Sequence, residues 1–173
     1  MAGAPNPIPV HIRPAGEADL PAVVALRRAV GWSSGGLEGS FAAAAAGRQA
    51  ILAAELGESL VGAVTVAFHA GLPAGRAHVS DLLVAPLWRR RGIGTLLLEA
   101  AEQEARRRGL FDCTLDVDAH NDAALALYLR SGYTHYRPAQ FPWGPGHTLR
   151  KEIAARPAPA RPGFLARLRW RLR

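Results

Sequence analysis

The sequence predicts a mixed α/β (α+β) fold, in which a central, mostly antiparallel sheet contains one parallel strand pair and is flanked by helices. Two observations predict it. A strand-like run, a long amphipathic run and a second strand-like run follow one another between residues 77 and 117, and a helical connection of this length joins parallel strands with a right-handed crossover. Further strand-like runs on either side of that unit are separated by turns, so they add antiparallel neighbours.

Before that unit, the sequence indicates a strand, two helices and a hairpin. Alternation of apolar and polar residues predicts strands, whereas apolar residues at helical spacing predict helices, which stop near Gly31 and Gly47. The predicted elements are a strand at Val10–Arg13, helices at Leu20–Val30 and Ser40–Ala46 with a Gly/Ser-rich loop at Trp32–Gly39 between them, and hairpin strands at Ala50–Glu55 and Leu60–His69.

From residue 77 onward, strands and helices alternate. The long helix carries glutamates near its start and arginines near its end, which matches its dipole. The connection Pro138–Gly146 is long for a hairpin and rich in Pro and Gly, so we expect a loop that borders a substrate site. The predicted elements are strands at Ala77–Val84, Phe111–Val117, Gly132–Arg137 and His147–Ile153, and helices at Thr95–Arg108 and Asp122–Arg130.

The charge of the chain is concentrated at its end. The 173 residues suit one domain, and their formal net charge is +7. Six arginines and no acid lie in the last 18 residues, so without those six charges the remainder carries +1. We therefore predict a domain over residues 1–155 and a basic tail over residues 156–173. This amphipathic tail either binds an anionic partner, such as a lipid surface, nucleic acid or a ribosome, or ends as a solvated terminus.

Composition also argues against several classes of protein. No run approaches the roughly 20 apolar residues that cross a bilayer, and Met1–Pro14 lacks the apolar core of a signal peptide. The single cysteine, Cys113, cannot form an internal disulfide. We therefore expect a cytoplasmic protein. The excess of arginine over the single lysine, Lys151, indicates a GC-rich, bacterial genome.

A glycine-containing turn, Arg89–Thr95, lies between a strand and the long helix. Backbone N–H groups at a helix start lack intrahelical partners, and together with the helix dipole they favour a phosphate. Three arginines before the first glycine add positive charge. A dinucleotide fingerprint would need a third glycine where Leu97 stands, and a nucleotide P-loop would need a lysine in the turn. The turn is therefore interpreted as a cradle for another pyrophosphate ligand.

A second group of residues, about 30 positions downstream, shares one helix face. Asn121, Ala124 and Tyr128 are spaced at i, i+3 and i+7. Asn121 is a favourable helix cap, and Gly132-Tyr133 ends the helix and opens another strand. The spacing predicts a helix whose polar face presents an amide and a phenol together.

These two segments together resemble the GNAT superfamily of N-acetyltransferases. The first segment is R-x-x-G-x-G at Arg89–Gly94, directly after a strand that ends in Leu82-Leu83-Val84, and the second is the run Asn121–Tyr133. The resemblance extends over roughly residues 12–153. It implies the GNAT fold, acetyl-CoA as co-substrate and an amine as acceptor.

The resemblance also implies roles for individual residues. Backbone groups of the glycine turn would bind the pyrophosphate, the strand end would pair with the pantetheine arm as a neighbouring strand does, and the second helix would meet the arm from the other side. The implied cofactor-binding residues are Leu82, Leu83, Val84, Arg89, Arg90, Arg91, Gly92, Ile93, Gly94, Thr95, Asn121, Ala124 and Tyr128.

Acetyl transfer to an amine sets three chemical requirements. The departing thiolate needs an acid, the oxyanion needs a donor, and the amine must be neutral although an alkylamine has a pKa of about 10. Tyr128 is the implied acid, and the Val84 N–H is the implied donor. Several family members use a glutamate as base where Ser80 stands, so we expect Asp81, or a water chain involving His78 or Ser80, to replace it.

The predicted function is direct transfer of an acetyl group from acetyl-CoA to a primary amine. The acceptor is a protein N-terminus or lysine, a polyamine, an amino acid or an aminoglycoside-like drug, selected by Trp32–Gly39 and Pro138–Gly146. No metal is predicted, because Asp116, Asp118 and His120 are expected to lie on an exposed strand end and turn. The alternatives are a non-catalytic acyl-CoA-binding or sensing module and an adaptor whose tail binds membrane or nucleic acid. The sequence leaves monomer and homodimer open.

Overall fold

The computed structural model describes residues 9–68, 71–142 and 144–156, in which seven strands and four α-helices are found. The strands are β1 (His11–Pro14), β2 (Gln49–Leu56), β3 (Ser59–Ala67), β4 (Arg76–Val84), β5 (Asp112–Asp118), β6 (Thr134–Phe141) and β7 (Gly144–Glu152). The helices are α1 (Leu20–Ala29), α2 (Leu37–Ala45), α3 (Ile93–Arg107) and α4 (Asp122–Arg130).

The strands form one sheet in the order β1-β2-β3-β4-β5-β7-β6. β4 and β5 pair in parallel, and every other adjacent pair is antiparallel. The chain leaves β4, forms α3 and returns as β5, because parallel neighbours need a crossover connection. The predicted fold class, a mixed sheet with one parallel pair flanked by helices, is confirmed.

The parallel pair separates before either strand ends. Its last Cα partners are Val79 and Leu115, whereas β4 continues for five more residues and β5 for three. On its other side, β4 shifts register against β3 near Asp81, whose φ is 51°. An extra residue of this kind bends the strand that carries it. The strand ends therefore leave a gap, which we call the wedge, beyond Val79 and Leu115.

Helices cover both faces of the sheet. On one face, here the α3 face, α3 and α4 pack into the main core through Leu97 and Tyr128, together with Val79 and Leu115 of the strands. On the other face, here the α1 face, α1 and α2 pack on β2, β3 and the adjoining part of β4. Leu26 of α1, for example, packs in a cluster with strand residues of that face.

Two helix starts differ from the sequence prediction. α2 begins at Leu37, inside the predicted loop, and α3 begins at Ile93 rather than at Thr95. Both helices follow a glycine with positive φ, Gly36 at 83° and Gly92 at 82°. Because glycine takes this conformation readily, each helix starts directly after it.

The predicted loop at Pro138–Gly146 is wrong. β6 continues to Phe141 and β7 begins at Gly144, and these two residues pair, so the two strands form a hairpin. Pro138 is tolerated because β6 is an edge strand. A Cβ at Gly146 would overlap the Phe141 ring and the Val117 carbonyl oxygen. The Pro and Gly content therefore reflects an edge strand and close packing, and the described residues contain no such loop.

The predicted basic tail lies outside the described residues except for Arg156. Its Nη2 is 3.3 Å from Oδ2 of Asp112, which is buried in β5. The tail's predicted anionic partner stays a prediction. Among the helices in the described part of the chain, none combines the length and the apolarity that crossing a membrane would require.

Candidate active site

A cleft of about 660 Å³ lies at the wedge. Its walls come from the end of β4, the turn before α3 and α4 on the α3 face, and the segment after α1 on the α1 face, so the cleft reaches both faces of the sheet. Eleven predicted residues line it: Leu82, Leu83, Val84, Arg89, Arg90, Gly92, Gly94, Thr95, Asn121, Ala124 and Tyr128. Asp81, Arg91 and Ile93 are not among the described lining residues.

The start of α3 presents backbone donors to the cleft. Gly92 caps the helix, and the first intrahelical hydrogen bond runs from the Leu96 N–H to the Gly92 carbonyl at 3.1 Å. The N–H groups of residues 93–95 therefore have no partner within the helix, and they suit an anion such as a diphosphate. A Cβ at Gly94 would lie 3.2 Å from Leu127 Cδ2. The second glycine thus lets α3 and α4 approach closely, a packing role that the sequence did not reveal.

The three arginines before α3 take different positions. Arg89 lines the cleft, and its Nε donates a hydrogen bond to the Val84 carbonyl oxygen at 3.1 Å. Arg90 also lines the cleft, in a left-handed conformation with φ of 58°. Arg91 instead lies over the Trp88 ring, 4.8 Å from its centroid. Two arginines therefore add positive charge to the cleft, and the third supports its aromatic wall.

The start of α4 is set by its own cap. The Asn121 side-chain oxygen accepts a hydrogen bond from the Ala124 N–H at 3.1 Å, and the helix has the bounds that the sequence predicts. Asn121, Ala124 and Tyr128 all line the cleft. Tyr128 is 9% exposed, and burial raises its pKa to about 12. Its hydroxyl therefore stays protonated at neutral pH and can act as a donor.

Asp81 lies beside the cleft on the α1 face. Its Oδ2 is 3.4 Å from Nη1 of Arg27 in α1. The Arg27 guanidinium in turn lies 5.7 Å from the centroid of the Trp32 ring, which lines the cleft. Asp81 thus adjoins the cleft through Arg27 and Trp32, and an arginine holds its carboxylate.

The acidic residues at the end of β5 have structural partners. The Asp118 Oδ1 accepts a hydrogen bond from the His120 backbone N–H at 2.7 Å and so closes the turn before α4. The Asp116 Oδ1 accepts one from the Thr148 hydroxyl at 2.7 Å. Within residues 9–68, 71–142 and 144–156, no group of three or more His, Cys, Asp or Glu side chains is arranged to hold a metal ion.

Several lining residues were not identified as binding residues from the sequence. They are Val30, Trp32, Trp88, Ala123, Leu127 and Arg130. Trp32 lies in the segment expected to select the acceptor, and Trp88 had only the signal of an aromatic residue beside an arginine run. Arg130 follows Tyr128 by two positions, so helical spacing gives no sign that it shares the cleft.

Comparison with known proteins gives a consistent result. Residues 27–133, more than half of the chain, match the family described as "Acetyltransferase (GNAT) family". Over 79 residues the chain is 38% identical to Acetyl transferase GW6a of Oryza sativa subsp. japonica. The matched stretch is 45% of this chain and 19% of that protein. Over 73 residues it is 37% identical to the [Ribosomal protein bS18]-alanine N-acetyltransferase of Salmonella typhimurium, which covers 41% of this chain and 49% of that protein. The chain thus spans half or less of the length of these curated relatives.

A solved structure supports the fold over most of the chain. The PaiA N-acetyltransferase from Thermoplasma acidophilum, in complex with coenzyme A, superimposes with a TM-score of 0.72. The match covers 83% of this chain and 99% of that one at 19% sequence identity. At this identity, the similarity shows a common fold.

Proposed function

The chain belongs to the GNAT family of acetyltransferases, and we propose on that premise that it transfers an acetyl group from acetyl-CoA to a primary amine. One observation carries the proposal. A single cleft brings the unpartnered N–H groups at the start of α3 and the Asn121–Tyr128 face of α4 to the diverging end of β4. An anion site, an extended strand end and a phenol in one cleft are what a long pyrophosphate-bearing thioester requires.

The chain's own backbone supplies the donor site. The N–H groups of residues 93–95 would hold the diphosphate, with Arg89 and Arg90 beside them. The Ala85 N–H bonds to the Val61 carbonyl of β3 at 2.8 Å, and the direction of backbone groups alternates along a strand. Val84 therefore turns its N–H away from β3 toward the wedge, where it would donate to the thioester carbonyl oxygen. Acetyl-CoA supplies the activated acetyl group when it is bound.

Tyr128 is proposed as the acid. Because burial raises its pKa to about 12, it holds its proton until negative charge develops on the sulfur, whose thiol has a pKa of about 8.5. Asn121 would hold the pantetheine arm from the α4 side. The base that deprotonates the acceptor amine is proposed to be either Asp81 or a water chain that involves His78 or Ser80. These roles rest on the family pattern and on where the side chains lie.

The acceptor is proposed to be a peptide α-amine. The Salmonella typhimurium relative carries the name of a ribosomal-protein alanine N-acetyltransferase, and that name is the ground for choosing an acceptor of this class. The experiment that tests this proposal also includes the other amines named above, which are lysine side chains, polyamines, amino acids and aminoglycosides. The cytoplasmic location and the bacterial origin stay predictions, and the oligomeric state stays open.

The test is release of free thiol from acetyl-CoA in the presence of each amine, with mass spectrometry of the product. We expect transfer to peptides with a free N-terminus, and a loss of about 100-fold or more in kcat for Tyr128→Phe, since general acid catalysis contributes about 10²–10⁴-fold. Coenzyme A affinity, measured by calorimetry, should be unchanged in this variant. No heat of binding with the wild-type protein would refute the assignment of the cleft.

The two alternatives give different results in the same experiments. A non-catalytic acyl-CoA module would bind coenzyme A but release no thiol with any amine, and Tyr128→Phe would have no consequence. A tail-driven adaptor would lose its anionic partner, but not its transferase activity, when residues 157–173 are deleted. Arg156 is kept in this truncation because it binds Asp112.

A further inference from the structure

We propose that residues 164–173 of the basic tail dock into a groove of their own domain, between α2, the end of α3 and the strand pair β1–β2, which we call the second groove. The inference goes beyond acetyl transfer and does not depend on it. It depends on three observations: the apolar wall and acidic lining of the second groove, the place where the described chain comes close to it, and the composition of residues 164–173.

The second groove is separate from the candidate active site. It has a volume of about 570 Å³ and, among the described residues, shares no lining residue with the active-site cleft. Its wall is largely apolar and is built from the core beneath α2, from the main core and from exposed positions of α2: Phe41 and Ile51, Leu52, and Ala42 and Ala45. Such a wall is stabilised when another apolar surface covers it and excludes water.

Acidic side chains also line the second groove. Glu17, Glu38 and Glu104 lie there together with Arg108, so three negative charges and one positive charge give these four residues a formal charge of −2. Glu104 is held by Arg107 and Arg108, each at 3.1 Å. Glu17 and Glu38 are exposed, and neither forms an ion pair with another residue of the described ranges. The second groove therefore suits an occupant that is both cationic and apolar.

The described chain ends near the second groove. The Arg156 guanidinium lies 4.9 Å from the centroid of the Phe111 ring. Phe111 follows Arg108 by three residues, so their Cα atoms are at most about 11 Å apart, at 3.8 Å per residue. Arg108 lines the second groove, and its Nη1 donates to the Gly47 carbonyl oxygen at 3.0 Å, just after α2. The residues that follow Arg156 therefore start close to this groove.

The seven residues 157–163 are long enough to bridge the remaining distance. A chain spans at most about 3.3–3.6 Å per residue, so these seven reach up to about 25 Å. A tether of this length also keeps the following residues near the groove at an effective concentration on the order of millimolar. Contacts too weak to hold a separate molecule are therefore enough to hold the tail. In dilute solution, the tail of the same chain is favoured over that of a second copy.

Residues 164–173 match the second groove in their apolar and in their charged groups. They contain five large apolar side chains, four arginines and no acid. The apolar side chains would cover the exposed alanines of α2, and the arginines would meet the carboxylates of Glu17 and Glu38. Because an exposed ion pair contributes little to stability, the apolar contact supplies most of the affinity, and the charges select this groove.

The test locates the tail in the full chain by paramagnetic relaxation. A nitroxide is attached to Ala166→Cys, and Cys113 stays unlabelled because it is 0% exposed. We expect the backbone amide signals of residues that line the second groove, such as Ala42, Ala45 and Gln49, to lose most of their intensity. The signals of β6, at the opposite edge of the sheet from β1, should keep theirs.

Two groove variants of the labelled chain are compared with one matched control. The double variant Glu17→Arg, Glu38→Arg should lower the ratio of docked to free tail by about 3- to 30-fold. Ala45→Arg places a cation on the apolar wall at an exposed helical position and should also release the tail. Glu58→Arg is the control, since Glu58 is exposed in the turn between β2 and β3 and lies outside the lining of the groove. It should leave the broadening unchanged. Thermal unfolding identifies a folding defect in the double variant, in which case Ala45→Arg decides.

Three results would overturn docking within the chain. The first is full intensity of the groove signals in the labelled chain, and the second is unchanged broadening in both groove variants. The third is equal broadening when spin-labelled protein is mixed with isotope-enriched protein that lacks the label, because the occupant is then the tail of a second copy. The first result would leave the tail to the lipid or nucleic-acid partner that the sequence predicts.

Discussion

Replacing Gly92 with alanine should weaken coenzyme A binding through the backbone alone. Gly92 has a φ of 82°, and a Cβ added there would meet nothing within 4 Å, so the substitution adds conformational strain without a clash. A left-handed conformation costs an alanine about 1–2 kcal/mol. If the cap relaxes to relieve that strain, the N–H groups of residues 93–95 turn away from the cleft. A loss of 1–2 kcal/mol in binding corresponds to about a 5- to 30-fold rise in Kd.

Gly109→Ala is the matched control at the other end of α3. Gly109 has a φ of 74° and also has nothing within 4 Å of an added Cβ, but it lies outside the lining of the cleft. Both variants should lose about 1–2 kcal/mol of unfolding free energy in urea. Only Gly92→Ala should lose affinity in calorimetry with coenzyme A. Equal affinities for the two variants, at equal stability, would refute the view that the cap orients the binding groups.

Three further predictions concern buried groups. Lys151→Met should lower the unfolding free energy by about 1–3 kcal/mol, because Lys151 Nζ lies 2.7 and 2.9 Å from the carboxylate oxygens of Glu102, which is 2% exposed. Arg106 Nη2, 3.2 Å from Oε2 of Glu102, remains as a second partner and limits the loss. A loss below about 1 kcal/mol in urea unfolding would contradict this prediction. Cys113 is 0% exposed, and burial raises its pKa to about 12. A thiol reagent at about pH 8 should therefore label it only after the protein unfolds. Rapid labelling of the native protein would contradict this expectation. A general acid stops working when the pH rises through its pKa, and burial raises the pKa of Tyr128 to about 12. The value of kcat should therefore not fall as the pH passes about 10, the ordinary pKa of a tyrosine. A fall in kcat with an apparent pKa near 10 would contradict the role of the buried Tyr128 as the acid.

The two motif segments show which features local sequence can predict. α4 has the predicted bounds because its start depends on one contact between Asn121 and Ala124, three residues apart. The start of α3 was misplaced by two residues, because the spacing of apolar residues does not show that Gly92 takes the cap position. The hairpin of β6 and β7 was wrongly predicted as a loop because of its Pro and Gly residues. Pro138 is tolerated because β6 is an edge strand, and Gly146 is needed because it packs against Phe141.

The candidate site also combines features that local sequence predicts with features that depend on tertiary contacts. Spacing within one helix is enough to place Asn121, Ala124 and Tyr128 on one face, and a glycine turn before a helix is enough to predict unpartnered N–H groups. The ion pair of Asp81 with Arg27 joins β4 to α1, so it depends on how α1 packs against the sheet.

Periodicity, capping residues and turn glycines act over a few residues, so the amino-acid order was sufficient for the fold class, for most elements and for the two motifs. Other features arise from contacts between residues far apart in the chain. They are the point at which β4 and β5 separate, the set of residues that line the cleft, and the burial that raises the pKa of Tyr128. Those contacts exist only after the sheet has assembled and water has been excluded from its core.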